Sequence, residues 1–127
     1  YKYNNTYWIQ LGDDINGDTI PEKFGSSVSL SDDGYILAIG WQGYTTESDN
    51  INHAGRARIY VYDGFKWNYL SPDILGINSY DYTGLALSGN GSRIAVGSPG
   101  TATGYIRVFD YRIKWFSFYN YRFLNNK

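Results

Sequence analysis

The sequence F-G-S-S-V-S-L-S-D-D-G, from Phe24 to Gly34, is followed by I-L-A-I-G from Ile36 to Gly40, and this pattern occurs twice. The second copy reads Y-T-G-L-A-L-S-G-N-G from Tyr82 to Gly91 and then R-I-A-V-G from Arg93 to Gly97. Each copy continues into a strand-like segment, R-I-Y-V-Y-D or I-R-V-F-D-Y, and then reaches a tryptophan. Self-similarity over about 40 to 50 residues, with four strand-like segments per unit, is typical of β-propeller blades.

Composition indicates one globular domain whose charge is unevenly distributed. The chain has 127 residues, 43% hydrophobic and 18% charged, and its 14 tyrosines suit strands and contact surfaces. Residues 1–50 hold two cations against eight acids (−6), and residues 101–127 hold five cations against one acid (+4). This asymmetry favours either head-to-tail contact between copies or simply solvated edges.

Several classes of protein are not indicated by the sequence. The chain has no cysteine, so disulfides and thiolate metal sites are excluded. It has no apolar stretch of the roughly 18 residues that a spanning helix needs, no signal peptide and no dense basic–aromatic patch. We therefore expect neither membrane insertion nor nucleic-acid binding. The absence of methionine, even at position 1, suggests a piece of a longer protein.

The predicted architecture is all-β, with two full four-stranded antiparallel blades and part of a preceding one. Residues 1–12 would close the preceding blade, 13–70 form the first blade, 71–119 the second, and 120–127 a polar tail. The predicted strands are Tyr1–Tyr3, Trp8–Leu11, Ser27–Leu30, Ile36–Gly40, Arg56–Tyr62, Trp67–Leu70, Gly84–Leu87, Arg93–Gly97, Tyr105–Tyr111 and Trp115–Tyr119.

Turn chemistry and side-chain alternation support this organisation. Asp32-Asp33-Gly34, Gly89-Asn90-Gly91 and Asp63-Gly64 supply the positive φ that tight hairpins need. The segments Arg56–Tyr62 and Tyr105–Tyr111 have apolar or aromatic side chains on both faces. A sheet with apolar side chains on both faces needs a neighbouring sheet on each side, and stacked blades provide both neighbours.

The residues of this repeat resemble FG-GAP-type β-propeller repeats, which occur in integrin α-subunit heads and in many bacterial and viral surface proteins. The matching residues are Phe24-Gly25, Ser27–Leu30, Ile36–Gly40 and Val96-Gly97-Ser98-Pro99, and Tyr1–Gly12 looks like a joint between tandem repeats. The second unit departs from the pattern, with Tyr82-Thr83 in place of Phe-Gly. The resemblance covers residues 1 to about 117 and implies a propeller used for adhesion or assembly, without catalysis.

The acidic segment before the first unit is the candidate metal site. Asp14, Asn16, Asp18 and Glu22 stand at positions 1, 3, 5 and 9 of a loop, a spacing that suits oxygen ligation of Ca²⁺. Thr19 stands where a turn glycine is expected, and in the FG-GAP family the calcium loop follows the Phe-Gly instead of preceding it. The alternative is an acidic connector between blades, and no other cofactor is predicted.

Catalytic constellations are lacking, so the protein is predicted not to be an enzyme. His53, the single histidine, lies in a polar loop and no Ser/His/Asp order or G-x-S-x-G elbow occurs. Trp8, Trp67 and Trp115 recur at one framework position, which indicates packing. Trp41 and Tyr44, with His53, are candidates for ligand or partner binding in the long loop, and capping of the blade edge is the alternative for Trp41.

Three functions follow from these observations. The first is a non-enzymatic propeller segment that acts as a protein–protein interaction or structural module in a surface, adhesive or virion protein. Its partner would be another protein or further blades of the same protein. The second is a carbohydrate-binding propeller that uses the loop aromatics, and the third is a calcium-dependent adhesin. All three imply an extracellular, cell-surface or virion-surface setting.

Overall fold

A computed structural model of the protein describes residues 1–18, 23–45, 53–70, 72–81, 84–100 and 103–110. These residues form antiparallel β-strands and no helix, so the all-β prediction is confirmed. The strands are β1 (Lys2–Tyr3), β2 (Trp8–Ile9), β3 (Phe24–Leu30), β4 (Ile36–Trp41), β5 (Arg56–Tyr62), β6 (Trp67–Tyr69), β7 (Ile74–Leu75), β8 (Gly84–Leu87), β9 (Arg93–Ser98) and β10 (Tyr105–Asp110).

The strands form one short hairpin and two larger sheets. Strands β1 and β2 pair as the N-terminal hairpin. The first sheet has the order β3-β4-β5-β6, with β7 also paired to β5, and the second has the order β8-β9-β10. Both larger sheets are meanders, as the repeat predicted. The predicted fourth strand of the second unit, Trp115–Tyr119, and the tail 120–127 lie outside the described residues.

The first turn of each unit is built from the same set of hydrogen bonds. Ser31 Oγ donates to Asp33 Oδ1 (2.6 Å) and accepts from Ile36 N (2.9 Å). In the second unit, Ser88 Oγ lies 2.9 Å from Asn90 Oδ1 and accepts from Arg93 N (3.0 Å). Because a short polar side chain holds the backbone in the same way twice, the turn is specified locally by sequence.

The turn before each tryptophan strand is also repeated. Asn4 Oδ1 accepts from the amides of Thr6 (3.1 Å) and Tyr7 (2.9 Å). Asp63 Oδ1 accepts from the amides two and three residues further on, at 2.8 and 2.9 Å. These amide donors hold the pKa of Asp63 below its ordinary value. The N-terminal hairpin is therefore the counterpart of the β5–β6 turn.

The sequence did not predict β7, which continues the outer edge of the first sheet after an interruption. Tyr69 is opposite Tyr60 and Ile74 is opposite Ala57. Asp73 directly precedes β7, and its carboxylate lies 2.6 Å from Arg56 Nε on β5. The pairing of β7 with β5 therefore positions part of the site described below.

The core lies between the two sheets, which pack face to face. The first sheet contributes Ile36, Ala38, Ala57 and Ile59, and the second contributes Ile94 and Val96, with Leu85, Leu87 and Phe109 beside them. By the repeat, Ile94 and Val96 correspond to Leu37 and Ile39, which lie on the opposite face of β4 from Ile36 and Ala38. Equivalent strands therefore use opposite faces, so the two units are stacked in the same sense.

The two equivalent turns also contact each other. Asp32 N donates to Gly89 O at 2.7 Å, and this bond joins the first turn to its counterpart in the second unit. A Cβ at Gly91, where φ is +69°, would collide with the side chain of Ile36. Glycine is thus required at this position both by conformation and by the close approach of the first sheet.

Candidate functional site

Two arginines at the start of β5, Arg56 and Arg58, contact aromatic rings and carboxylates at one end of the first sheet. We call this end the rim. Arg56 lies between two aromatic rings, with its guanidinium carbon 4.5 Å from the Trp41 ring centroid and 4.4 Å from that of Tyr44. Arg58 lies 5.0 Å from the Trp41 centroid on the same face. We call the set of Trp41, Tyr44, Arg56, Arg58, Asp18 and Asp73 the arginine cluster.

Two aspartates complete the cluster, one from each connector that flanks the unit. Asp18 Oδ2 lies 2.8 Å from Arg56 Nη2 and 3.3 Å from Arg58 Nη2. Asp73 lies 2.6 Å from Arg56 Nε and 2.8 Å from Arg58 Nε. The connector before β3 and the connector after β6 are therefore held by the same pair of cations.

The electrostatics of the cluster are those of a closed structural site. Burial acts to lower the pKa of Arg58, but hydrogen bonds and charge from Asp73 and Tyr60 outweigh it and raise the pKa above its ordinary value. Within the cluster two positive charges meet two negative ones, so no net charge is available to attract an ion. The arrangement stabilises the geometry of the connectors and offers no acid–base chemistry.

The predicted calcium ligands are drawn apart by these contacts. Asp18 is bound to the two arginines, whereas Asp14 Oδ1 accepts from Gln10 Nε2 at 2.8 Å. Asn16 and Asp14 line a shallow open depression, and Glu22 lies outside the described residues. Across the described ranges, no three acidic, histidine or cysteine side chains are grouped as a metal site would require.

The predicted binding aromatics have different surroundings. Trp41 is fully buried, with Phe24 packed edge-on at 4.4 Å, so its ring is not a surface platform for a sugar. Tyr44 covers Arg56 in the cluster. His53 stands apart, stacked on Tyr80 with centroids 5.3 Å apart and rings 8° from parallel.

The second unit has a different polar site at the corresponding rim. Tyr105, the counterpart of Arg56, donates its hydroxyl to Asp81, which is buried. Asp81 also accepts from the amides of Ile77 (3.0 Å) and Asn78 (2.9 Å). Burial acts to raise the pKa of Asp81, but these hydrogen bonds outweigh it and hold the pKa below its ordinary value.

Beyond the clusters, both outward faces of the sheet pair expose aliphatic side chains. On the outer face of the first sheet, Val28 is 64% and Leu30 54% exposed, and their neighbours on the same face are the half-buried Leu37 and the buried Ile39. An open groove of about 990 Å³ separates this patch from the N-terminal residues Tyr1, Lys2, Leu11 and Ile15. We call this patch the first outer face.

The opposite end carries the matching patch. On the outer face of the second sheet, Ile106 is 75% and Val108 65% exposed. Their cross-strand neighbours on β9 are Gly97 and Ala95, so the two aliphatic side chains project above neighbours with little or no side chain. We call this patch the second outer face.

The structure brings together Asp18, Trp41 and Tyr44. From the sequence, Asp18 was predicted to bind calcium, and Trp41 and Tyr44 to bind a ligand or partner. The sequence did not single out Arg56, Arg58 and Asp73, which join them. One signal could have found Asp73: by the tryptophan spacing it is the counterpart of Asp14, so an aspartate recurs in both connectors. The pairing of β7 with β5, next to which Asp73 lies, has no motif in the sequence.

The class that these features define is an all-β protein of antiparallel sheets stacked face to face. In comparisons with known protein families, with curated proteins and with solved structures, nothing matched the chain. The resemblance to FG-GAP repeats therefore stays a prediction. In the part of the chain that the structure describes, no helix is long and apolar enough to cross a lipid bilayer.

Proposed function

We propose that this chain is a segment of a β-propeller-type repeat protein of the FG-GAP kind, and that it acts without catalysis as a protein–protein interaction or structural module. Its two sheets are successive blades. Its partner is a further sheet of the same kind, either in the same protein or on another one, and it docks on one of the outer faces.

A single observation carries this proposal: each outer face is the counterpart of a face that is already buried between the two sheets. Ile106 and Val108, which are exposed, correspond to Ala57 and Ile59, which are buried in the core. Exposed contiguous apolar surface on a soluble domain commonly marks an interaction site. Here the buried counterpart also indicates the shape of the missing partner.

The arginine cluster supports a structural role for the rim. It fixes both connectors of the first unit through compensated charges, and Trp41 lies beneath the guanidinium of Arg56. A carbohydrate site needs an exposed aromatic ring, and a calcium site needs uncommitted carboxylates. These contacts therefore favour the interaction module over the lectin and the calcium-dependent adhesin. The adhesive, extracellular or virion-surface setting rests on the resemblance alone.

A tandem chain tests whether the second outer face takes a repeat sheet. Two copies of the 127-residue sequence are joined in one polypeptide, and Val108→Cys is introduced into the first copy only. Because the protein contains no cysteine, the rate of thiol labelling reports the cover of this one position. Linkage raises the effective concentration, so docking occurs even where free chains bind weakly.

The matched control is Val108→Cys in the second copy, whose outer face has no following unit to cover it at dilutions where tandem chains do not associate. We expect labelling in the first copy to be several-fold slower than in the control. Equal rates at the two positions would overturn the proposed function. Labelling after denaturation gives the common reference rate, and circular dichroism establishes that both tandem chains are folded.

A further inference from the structure

We propose that the protein self-associates head to tail, with the second outer face of one copy bound to the first outer face of the next. This inference rests on the proposed function and names the partner as a second copy of this chain. It concerns the association of separate chains, which the proposed function does not require.

The pairing is already present once within the chain. In the core, Leu85 and Leu87 of the second sheet pack against the group that contains Ala57 and Ile59 of the first. The counterparts of Leu85 and Leu87 are Val28 and Leu30, on the first outer face. The counterparts of Ala57 and Ile59 are Ile106 and Val108, on the second outer face.

Both halves of this second interface are accessible. All four aliphatic side chains are more than half exposed. Ala57 and Ile59, the counterparts of Ile106 and Val108, are almost completely buried, and Leu85 and Leu87, the counterparts of Val28 and Leu30, are partly buried. The second outer face has only small residues beside its aliphatic side chains, as the buried face of β4 does. These small residues are Gly84, Ala86, Ala95 and Gly97 on the second outer face, and Ala38 and Gly40 on β4. A sheet that carries Val28 and Leu30 therefore has room to approach.

The hairpin turns favour the same orientation. Asp32 N already donates to Gly89 O between units, and stacking copies in the same sense aligns Gly89 N with Asp32 O of the next chain.

The geometry of such an association is heterologous. Two different patches meet, so an open assembly of any size keeps one free patch at each of its two ends, and growth continues until a ring closes. An isologous dimer would instead pair like patches and stop at two copies. The two modes make opposite predictions for variants that alter a single face.

Sedimentation velocity over a wide concentration range tests the inference with three proteins. They are the unmodified chain, a first-face variant with Val28→Lys and Leu30→Lys, and a second-face variant with Ile106→Lys and Val108→Lys. We expect the unmodified chain to grow beyond a dimer with concentration, and each variant alone to stay monomeric. An equimolar mixture of the variants should form a one-to-one dimer and nothing larger, because each keeps the patch that the other has lost.

Each contrary result overturns the inference. An unmodified chain that stays monomeric throughout removes it, as does self-association in either variant or the absence of a heterodimer in the mixture. Melting curves of both variants verify folding, and the milder pair Val28→Ser and Val108→Ser replaces any variant that does not fold. Protection in the tandem chain together with monomeric free chains would overturn self-association and leave the proposed function standing.

Discussion

The buried face of the first sheet and the outer face of the second are counterparts in sequence, but their environments are opposite. Ala57 and Ile59 have almost no exposed surface, whereas Ile106 and Val108 are exposed to more than half of their surface. The ladders are the same, since β4 pairs with β5 as β9 pairs with β10. Equivalent strands therefore differ in burial because, among the described residues, only one of the two faces has a neighbouring sheet against it.

The largest effect is expected when a charge is placed on the buried face, and no effect on the monomer is expected when it is placed on the exposed counterpart. Ala57→Lys puts an ammonium group into the core between the sheets and should cost more than about 4 kcal/mol of unfolding free energy, enough to abolish folding. Ile106→Lys, at the counterpart position, should leave the folded monomer unchanged. Chemical denaturation of both variants measures the contrast, and equal destabilisation would remove the difference between the faces.

Truncation of the apolar side chain at the next position should give a smaller contrast of the same sign. Ile59→Ala opens a cavity in the core and should cost about 2 to 4 kcal/mol. Val108→Ala, measured at concentrations where the chain is monomeric, should change the unfolding free energy by less than about 0.5 kcal/mol. A comparable loss at Val108 would mean that the monomer itself buries the second outer face.

The arginines of the two units offer a third comparison. Arg58→Met removes two charged hydrogen bonds to Asp73 and should cost about 2 kcal/mol, whereas Arg107→Met loses one bond to Leu75 O and should cost about 1 kcal/mol. Thermal unfolding with a double variant, Arg58→Met with Asp73→Asn, supplies the control. Since the double variant leaves no uncompensated carboxylate, it should be less destabilised than the sum of the single changes.

The smallest effect concerns pH and the rim of the second unit. The pKa of Asp81 is lower in the folded chain than the ordinary value of 3.8, so its stabilisation is present above that pH and is lost as the pH falls through the folded pKa. Asp81→Asn should therefore cost about 1 kcal/mol at neutral pH and much less in acid. Denaturation midpoints across this range measure the effect, and a constant difference between the proteins would contradict it.

Much of the fold could be predicted because its specification is local. The turns at Ser31–Gly34 and Ser88–Gly91 are held by side chains of their own residues, so short motifs were enough to place β3, β4, β8 and β9. Strand β7 could not be predicted, because two apolar residues are too few to show the alternation of side chains that identifies a strand. Its pairing with β5 accompanies long-range contacts, among them those of Asp73 with Arg56 and Arg58.

The candidate site was less predictable for the same reason. Asp18 and Trp41 were identified from their chemistry, but their partner Arg56 is 38 residues from Asp18 and was visible only as one member of an alternating strand. Calcium ligation and arginine pairing use the same carboxylate oxygens. The sequence shows which carboxylates are available, but the fold determines which group each carboxylate binds.

The sequence by itself determined most of the strands, their meander order and the repetition of the unit, because side-chain alternation and turn chemistry act over a few residues. Only the tertiary structure decided which face of each sheet is buried. The two faces of a strand such as β4 are both apolar, so local pattern cannot rank them. Burial depends on which neighbour is present, and the burial of Ile59 in a core shared with β9 is a property of the stacked pair.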